Sequence, residues 1–224
     1  MNRIIAILIF VLLSSCQKKE NDLEFEKNVM NEIFIDLVDS IYYDIRLSPL
    51  PKEPYLEKGI SDSLKNERIK KHKLFLAERE INQEKIKNDT SRIVLAVYDT
   101  IEKQSISNGN ELIKFNNVEY LFDSITKKIE YKIDLSKIKR SDKFIFKYWT
   151  DFPNDRKIWR NKSPYYLGGL VSFSRIQFDK TKKHGVLKGG VGYGINDSEG
   201  FRIYIKKDLN NKWVIDKIIL TSIS

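Results

Sequence analysis

Apolar residues recur every three or four positions in the first part of the chain and every second position in the last, and the period changes near residue 91. Val29, Ile33, Leu37 and Ile41 repeat every four residues, with Met30, Phe34 and Val38 beside them. A helix starting at Asn21 or Asp22 must therefore bury one broad face, and Asn21 and Glu24 have the spacing of a capping box. Pro49, Pro51 and Pro54 break the chain into a loop over 47–60. A second helix is expected over 61–88, with Ser61 as its cap and Asp62 in its first turn. Its apolar positions, Leu64, Ile69, Leu74, Phe75, Leu76, Ile81 and Ile86, form a narrow, irregular stripe. That pattern predicts a helix lying on the surface with most of its girth wet. Glu67 and Lys71 are spaced to pair along it.

From Ser91 onward the texture is that of strands. The run Ile93 to Tyr98 is apolar, rich in β-branched residues and bounded by polar clusters, which predicts a buried strand. Residues 112–135 alternate weakly and fit neither period. Phe144, Phe146 and Tyr148 alternate with Lys143 and Lys147, as in a half-buried strand. Strands are then expected at 170–178 and 184–193, joined by a turn at 179–183. A loop over 194–200 precedes the alternation of Phe201, Ile203 and Ile205 with Arg202, Tyr204 and Lys206, and Asn210-Asn211 turns the chain into a last strand near Trp213. The last four strands predict an antiparallel meander. Helices over 23–88 followed by mainly antiparallel strands over 92–224 predict an α+β fold in one domain, the helices packed on one face of the sheet.

The first sixteen residues read differently. Arg3 is the only charge before an apolar run from Ile4 to Leu13, and Ser14-Ser15 supplies small side chains ahead of Cys16, the only cysteine. A positive start, a short apolar core and a small-residue exit make a secretory signal too short to span a bilayer. Leu13-Ser14-Ser15-Cys16 resembles the lipobox of bacterial lipoproteins. The resemblance implies a signal peptide at 1–15, acylation of Cys16, a tether at 16–22 and an outer-membrane address, facing either the periplasm or the cell surface.

Net charge changes the picture little. The chain carries 40 basic and 31 acidic residues, a formal charge of +9, and losing Arg3 with residues 1–15 leaves +8. The densest basic run, 65–73, has no aromatic interleaving and reads as a solvated helix face, so no nucleic-acid partner is expected. With its one thiol acylated, the body holds no disulfide of its own.

Candidate chemistry is sparse. His72 and His184 have no ligand spacing around them, so neither a metal nor a cofactor is expected. Lys188-Gly189-Gly190-Val191-Gly192-Tyr193-Gly194 matches neither phosphate-loop pattern, and its glycines point to a bulge, a close backbone approach or a pocket rim. No catalytic residues are assigned: Ser172 and Ser174 lie outside any nucleophile elbow, and Asp151, Asp155 and Asp179 have no separation that sequence alone can fix. Tyr148, Trp149, Trp159, Arg160, Tyr165 and Tyr166 form a candidate interface, because tryptophan, tyrosine and arginine anchor contacts; the favoured reading is that this segment packs across the sheet as a lid.

Residues 174–179, 201–207 and 211–215 are similar to the C-terminal part of uncharacterised Bacteroidetes-type envelope lipoproteins, and the closing hairpin resembles cone-shaped domains of the nuclear transport factor 2 type. These resemblances imply location and fold, and no catalytic residue. The reading that follows is a lipid-anchored envelope protein, non-catalytic, that binds a protein or glycan partner. A lipid-anchored hydrolase of envelope polymers and an inhibitor or immunity-type protein are the alternatives.

Overall fold

Asn21 starts helix α1 (Asp22–Ile41). Its side chain accepts a hydrogen bond from Leu23 N at 3.1 Å, which satisfies one of the orphan donors at the helix start. Glu24 instead pairs with Lys27 at 2.7 Å, so the cap is a single bond rather than a reciprocal box. The structure, a computed structural model, describes residues 21–49, 58–103, 107–117, 119, 129–153, 155–159 and 165–224. The signal segment, Cys16 and Arg160 lie outside the described residues.

Along α1 the expected stripe is buried: Val29, Met30, Ile33, Phe34, Leu37, Val38 and Ile41 all face the core. Each such side chain contributes about 1.5–3 kcal/mol on leaving water. Helix α2 (Asp62–Lys87) has no fully buried residue. Its half-buried positions, Ile69, His72, Leu76, Arg79, Gln83 and Ile86, recur at three and four, so one narrow line faces the body. Arg79 donates to the Ser48 carbonyl at 3.0 Å and Gln83 to those of Arg46 and Ser48 at 3.3 Å. Glu67 and Lys71 pair at 2.7 Å as their spacing predicted. Helix α3 (Ser107–Asn116) was not foreseen; its one clear apolar pair, Leu112 and Phe115, is too short a stripe to announce a helix.

The strands are β1 (Ile93–Val97), β2 (Thr100–Ile101), β3 (Tyr131–Lys132), β4 (Phe144–Tyr148), β5 (Leu167–Phe173), β6 (Gln177–Phe178), β7 (His184–Gly194), β8 (Asp197–Lys207) and β9 (Trp213–Ile223). The main sheet runs β4-β1-β5-β7-β8-β9, with β6 also on β7, while β2 and β3 pair separately. From β5 to β9 the neighbours are antiparallel, giving the four-stranded meander, and the fold is α+β. Three details differ from expectation. Strand β1 lies parallel to both β4 and β5. The strand expected over 170–178 is interrupted at 174–176. The loop expected over 194–200 shrinks to Ile195-Asn196, because Gly200 sits in the ladder opposite Gly190 instead of turning the chain.

The turn at 179–183 is organised by Asp179, which is 1% exposed. Its carboxylate accepts from Thr181 Oγ1, Lys183 N and His184 N. Burial alone would raise its pKa, but these hydrogen bonds outweigh that effect and hold the carboxyl below its usual range.

The sheet has two unlike faces. Helix α1 covers the first, packing on Leu95, Val97, Val171, Phe173, Leu187, Val191, Ile203 and Ile205. The second carries two separate covers. Phe152 and Ile158, with Trp149, Trp159 and Tyr165, pack on Val94 and Ala96 at one end. Leu112 and Phe115 of α3 pack on Val186 and Tyr204 at the other. Both faces of β4 are therefore packed: Phe144 and Phe146 point to α1, and Ile145 points to the second face.

Candidate functional site

The sequence-derived interface residues do not converge. Trp149 opens one 3₁₀ turn (Trp149–Asp151) and Trp159 closes another (Asp155–Trp159). Both join Tyr165 as half-buried members of the apolar cover over β1, and the Lys147 ammonium lies 4.9 Å from the Tyr165 ring centre. Tyr148 belongs to the first-face core, where its hydroxyl donates to Ile133 O at 3.0 Å and accepts from Leu135 N at 3.1 Å. Tyr166 meets Arg46, whose guanidinium stacks 3.7 Å from its ring centre, and Asp44 binds that same guanidinium. Burial, with the nearby Asp44 carboxylate, pushes the Tyr166 phenol up to about 12.

Between the two covers, among the described residues, the second face carries mostly small side chains. In an antiparallel sheet, directly opposed residues project to the same side. Register places Ser172 opposite Gly190, Gly190 opposite Gly200 and Gly200 opposite Ser222, so four small residues form one row across four strands. The adjacent row runs Leu170, Gly192, Ser198 and then Ser224, which exchanges both backbone hydrogen bonds with Ser198 at 2.9 Å. The Ser198 and Ser224 hydroxyls stand 2.6 Å apart. With strands about 4.8 Å apart, the strip is roughly 14 Å long and two rows wide.

Charge gathers on its border. A cavity of about 250 Å³ is lined by Glu102, Lys103, Ser172, Ser174, Lys188 and Gly190, among others. Ser174 is fixed beneath it: its hydroxyl donates to Arg175 O and accepts from Lys188 N at 2.8 Å. Arg202, one row beyond Gly200, is held by Glu111 of α3 at 3.3 Å.

The glycines of the Gly-rich run thus divide between the faces. A methyl at Gly189 would stand 2.9 Å from Ile203 Cδ1 and 3.2 Å from Ile41 Cδ1, in the core, whereas one at Gly192 would meet no atom within 4 Å. Gly168 is the tightest position: a methyl there would overlap Ile93 Cγ2 and stand 2.6 Å from the Tyr42 hydroxyl. Gly168→Ala is expected to lower stability by about 1–3 kcal/mol through overpacking. Gly192→Ala is expected to be neutral or to stabilise by up to about 1 kcal/mol, since alanine loses less backbone entropy in a strand. Urea midpoints of the two variants check this; equal loss in both would contradict the assigned faces.

One pair escaped the sequence reading altogether. Glu26 and Arg175 are 3% and 1% exposed and joined by a bidentate ion pair, Arg175 Nε to Glu26 Oε1 at 2.9 Å and Nη2 to Oε2 at 2.7 Å. The available signal was Glu26 itself, which stands four residues before Met30 and seven before Ile33 on the apolar face of α1.

His184 lies 3.4 Å from Asp179 through Nδ1. Among the described residues, no group of three or more His, Cys, Asp or Glu side chains is placed to hold a metal ion, and no helix is long and apolar enough to cross a membrane. Compared with protein-family models, with curated proteins and with solved structures, the chain has no match.

Proposed function

We propose that the chain is a lipid-anchored envelope protein, tied to the outer membrane through an acylated Cys16, whose α+β body binds a partner at the envelope without transforming it. The observation that carries the binding reading is the strip of glycine and serine that stands, among the described residues, between two packed covers on the second face of the sheet. The rest of this face buries apolar side chains or carries long ones such as Lys188 and Arg202; the row Ser172, Gly190, Gly200 and Ser222 presents neither, and its shape suits a flat ligand. The cavity at its border supports binding over hydrolysis. Among the described residues that line it, Glu102 is the one carboxylate, set beside Lys103 and Lys188, and a carboxylate-pair hydrolase needs two.

The anchor is tested by growth with labelled palmitate. The wild-type chain is expected to take up the label and Cys16→Ser to take up none. An unlabelled wild-type chain would overturn the anchor.

A further inference from the structure

We infer that the outward side of helix α2 is a self-association surface, on which α2 of a second copy of this chain packs antiparallel. This goes beyond the binding function proposed above and depends on neither the anchor nor the strip.

Helix α2 turns one narrow line, from Ile69 to Ile86, toward the body. At 3.6 residues per turn, the opposite line is Lys70, Leu74, Ala77, Ile81 and Glu84, spaced four, three, four and three. All five are exposed, Leu74 by 58% and Ile81 by 59%. That spacing is the seam of a paired helix, and it spans about 21 Å at 1.5 Å per residue. A shallow depression lined by Glu80, Ile81, Glu84, Lys85 and Asn88 lies on the same side.

Charge names the occupant. The outward charges are segregated about the stretch from Leu74 to Ala77: Lys70, Lys71 and Lys73 precede it, and Glu78, Glu80 and Glu84 follow, all of them exposed. Two copies laid parallel set lysine on lysine and glutamate on glutamate. Laid antiparallel about a two-fold axis between Leu74 and Ala77, they bring Lys70 level with Glu84 of the second copy, Lys73 with Glu80, Lys71 with Glu78 and Glu67 with Lys85, each within about one turn. Every contact then repeats across the axis, as a self-complementary interface requires. Lys73 and Glu80 share one flank of the seam, Lys71 and Glu78 the other, so these pairs meet on matching sides. The pairs inside the helix, Glu67–Lys71 and Glu84–Lys87, are exposed and weak, so a facing charge can share them. An anionic lipid surface would attract the lysines, but Glu78, Glu80 and Glu84 surround Ile81 and would be pressed against it. One helix pair falls below the roughly 1,200 Å² of standard interfaces, so the dimer is weak, with a dissociation constant on the order of 10–100 µM. At about 1 µM the chain is therefore a monomer.

The test sediments the intact lipidated protein over a range of concentrations, with detergent in enough excess for one chain per micelle. A monomer–dimer equilibrium is expected, weaker at higher salt. The double variants Lys70→Glu with Lys73→Glu, and Glu80→Lys with Glu84→Lys, are each expected to self-associate roughly tenfold more weakly or worse. Mixing the two should restore dimers, which also shows that both variants fold. Orientation is read from disulfides, since a cysteine pair closes only at short range: Lys70→Cys and Glu84→Cys chains, mixed and oxidised, are expected to link to each other rather than to their own kind. A chain that stays monomeric at about 1 mM, unchanged association in the double variants, no dimer in their mixture, or links between like chains alone would each overturn the inference. So would binding to anionic phosphatidylglycerol vesicles, lost in Lys70→Glu with Lys73→Glu, by a chain that forms no dimer; the face would then belong to lipid. None of these outcomes touches the anchor or the binding function.

Discussion

Glu26→Ala is expected to destabilise the protein by about 3–5 kcal/mol, the loss typical of a buried ion pair broken from one side. The reason is what stays behind. Arg175 is 1% exposed, and its guanidinium spans both oxygens of Glu26 while Nη1 donates to Ile129 O at 2.7 Å. Removing the carboxylate leaves that cation in low dielectric without the charge it faces. It also deprives Ile176 N of the acceptor it finds at 2.9 Å in Glu26 Oε1, and a buried donor without a partner costs about 1–3 kcal/mol. For a chain of this length the melting temperature should fall by roughly 6–20 °C. Glu26→Gln keeps the shape and an oxygen for Ile176 N but deletes the charge, so its loss should be smaller. A Glu26→Ala variant within 1 kcal/mol of wild type in urea unfolding would show that the pair is dispensable. The interaction also has a topological role, since it joins the first turns of α1 to the junction of β5 and β6, 149 residues away.

Phe34→Ala should lose a comparable amount, about 3–5 kcal/mol, by a different mechanism. Phe34 is fully buried at the centre of the contact between α1 and the sheet. Its ring meets Phe146 edge-on at 5.1 Å and Phe173 at 5.6 Å. Truncation removes the transfer free energy of the ring and leaves a cavity that rigid neighbours on two strands cannot close. Each edge-to-face pair adds about 0.5–1.5 kcal/mol beyond area. Leu74→Ala on α2 is the matching control. Leu74 is 58% exposed, and its loss should stay within about 0.5 kcal/mol. Equal losses from the two helices would mean that α2 is packed in solution on something other than its own body.

Helices α1 and α2 were legible because their signals are local. Asn21 and Ser61 sit where caps were expected, and α1 and α2 end within one residue of the bounds that stripe and caps implied. The meander was legible for the same reason: Phe201, Ile203 and Ile205 keep a period of two, and Asn211 takes the left-handed backbone, φ 65°, that its turn demands. Where a local signal pointed the wrong way, register overruled it. Gly194 and Gly200 look like the ends of a loop, yet Gly200 is a ladder residue whose missing side chain leaves room for Ser222 Oγ, 2.5 Å from where a Cβ would stand. The parallel pairing of β1 with β4 and β5 joins strands some fifty and seventy residues apart, and no neighbouring residue marks it.

The candidate site followed the same division. The Gly-rich run stood out in the chain, and so did the aromatic segment around Trp149 and Trp159. Their roles did not. The aromatic segment splits, Trp149, Trp159 and Tyr165 covering β1 while Tyr166 stacks under Arg46. Gly189 and Gly190 are consecutive but face opposite sides, as strand geometry requires, and the serines that complete the strip come from β5, β8 and β9.

Residue order by itself settled helices α1 and α2 and the strands of the meander, because capping, periodicity and turn chemistry act over a few positions. It also settled that α1 would be buried and α2 largely wet, since apolar stripe width is written into each helix. Only the folded arrangement decided which strands are neighbours, that Glu26 meets Arg175, and that glycines and serines from four strands stand in rows. Those outcomes depend on long-range register, and a shift of one residue would send every side chain of a strand to the other face.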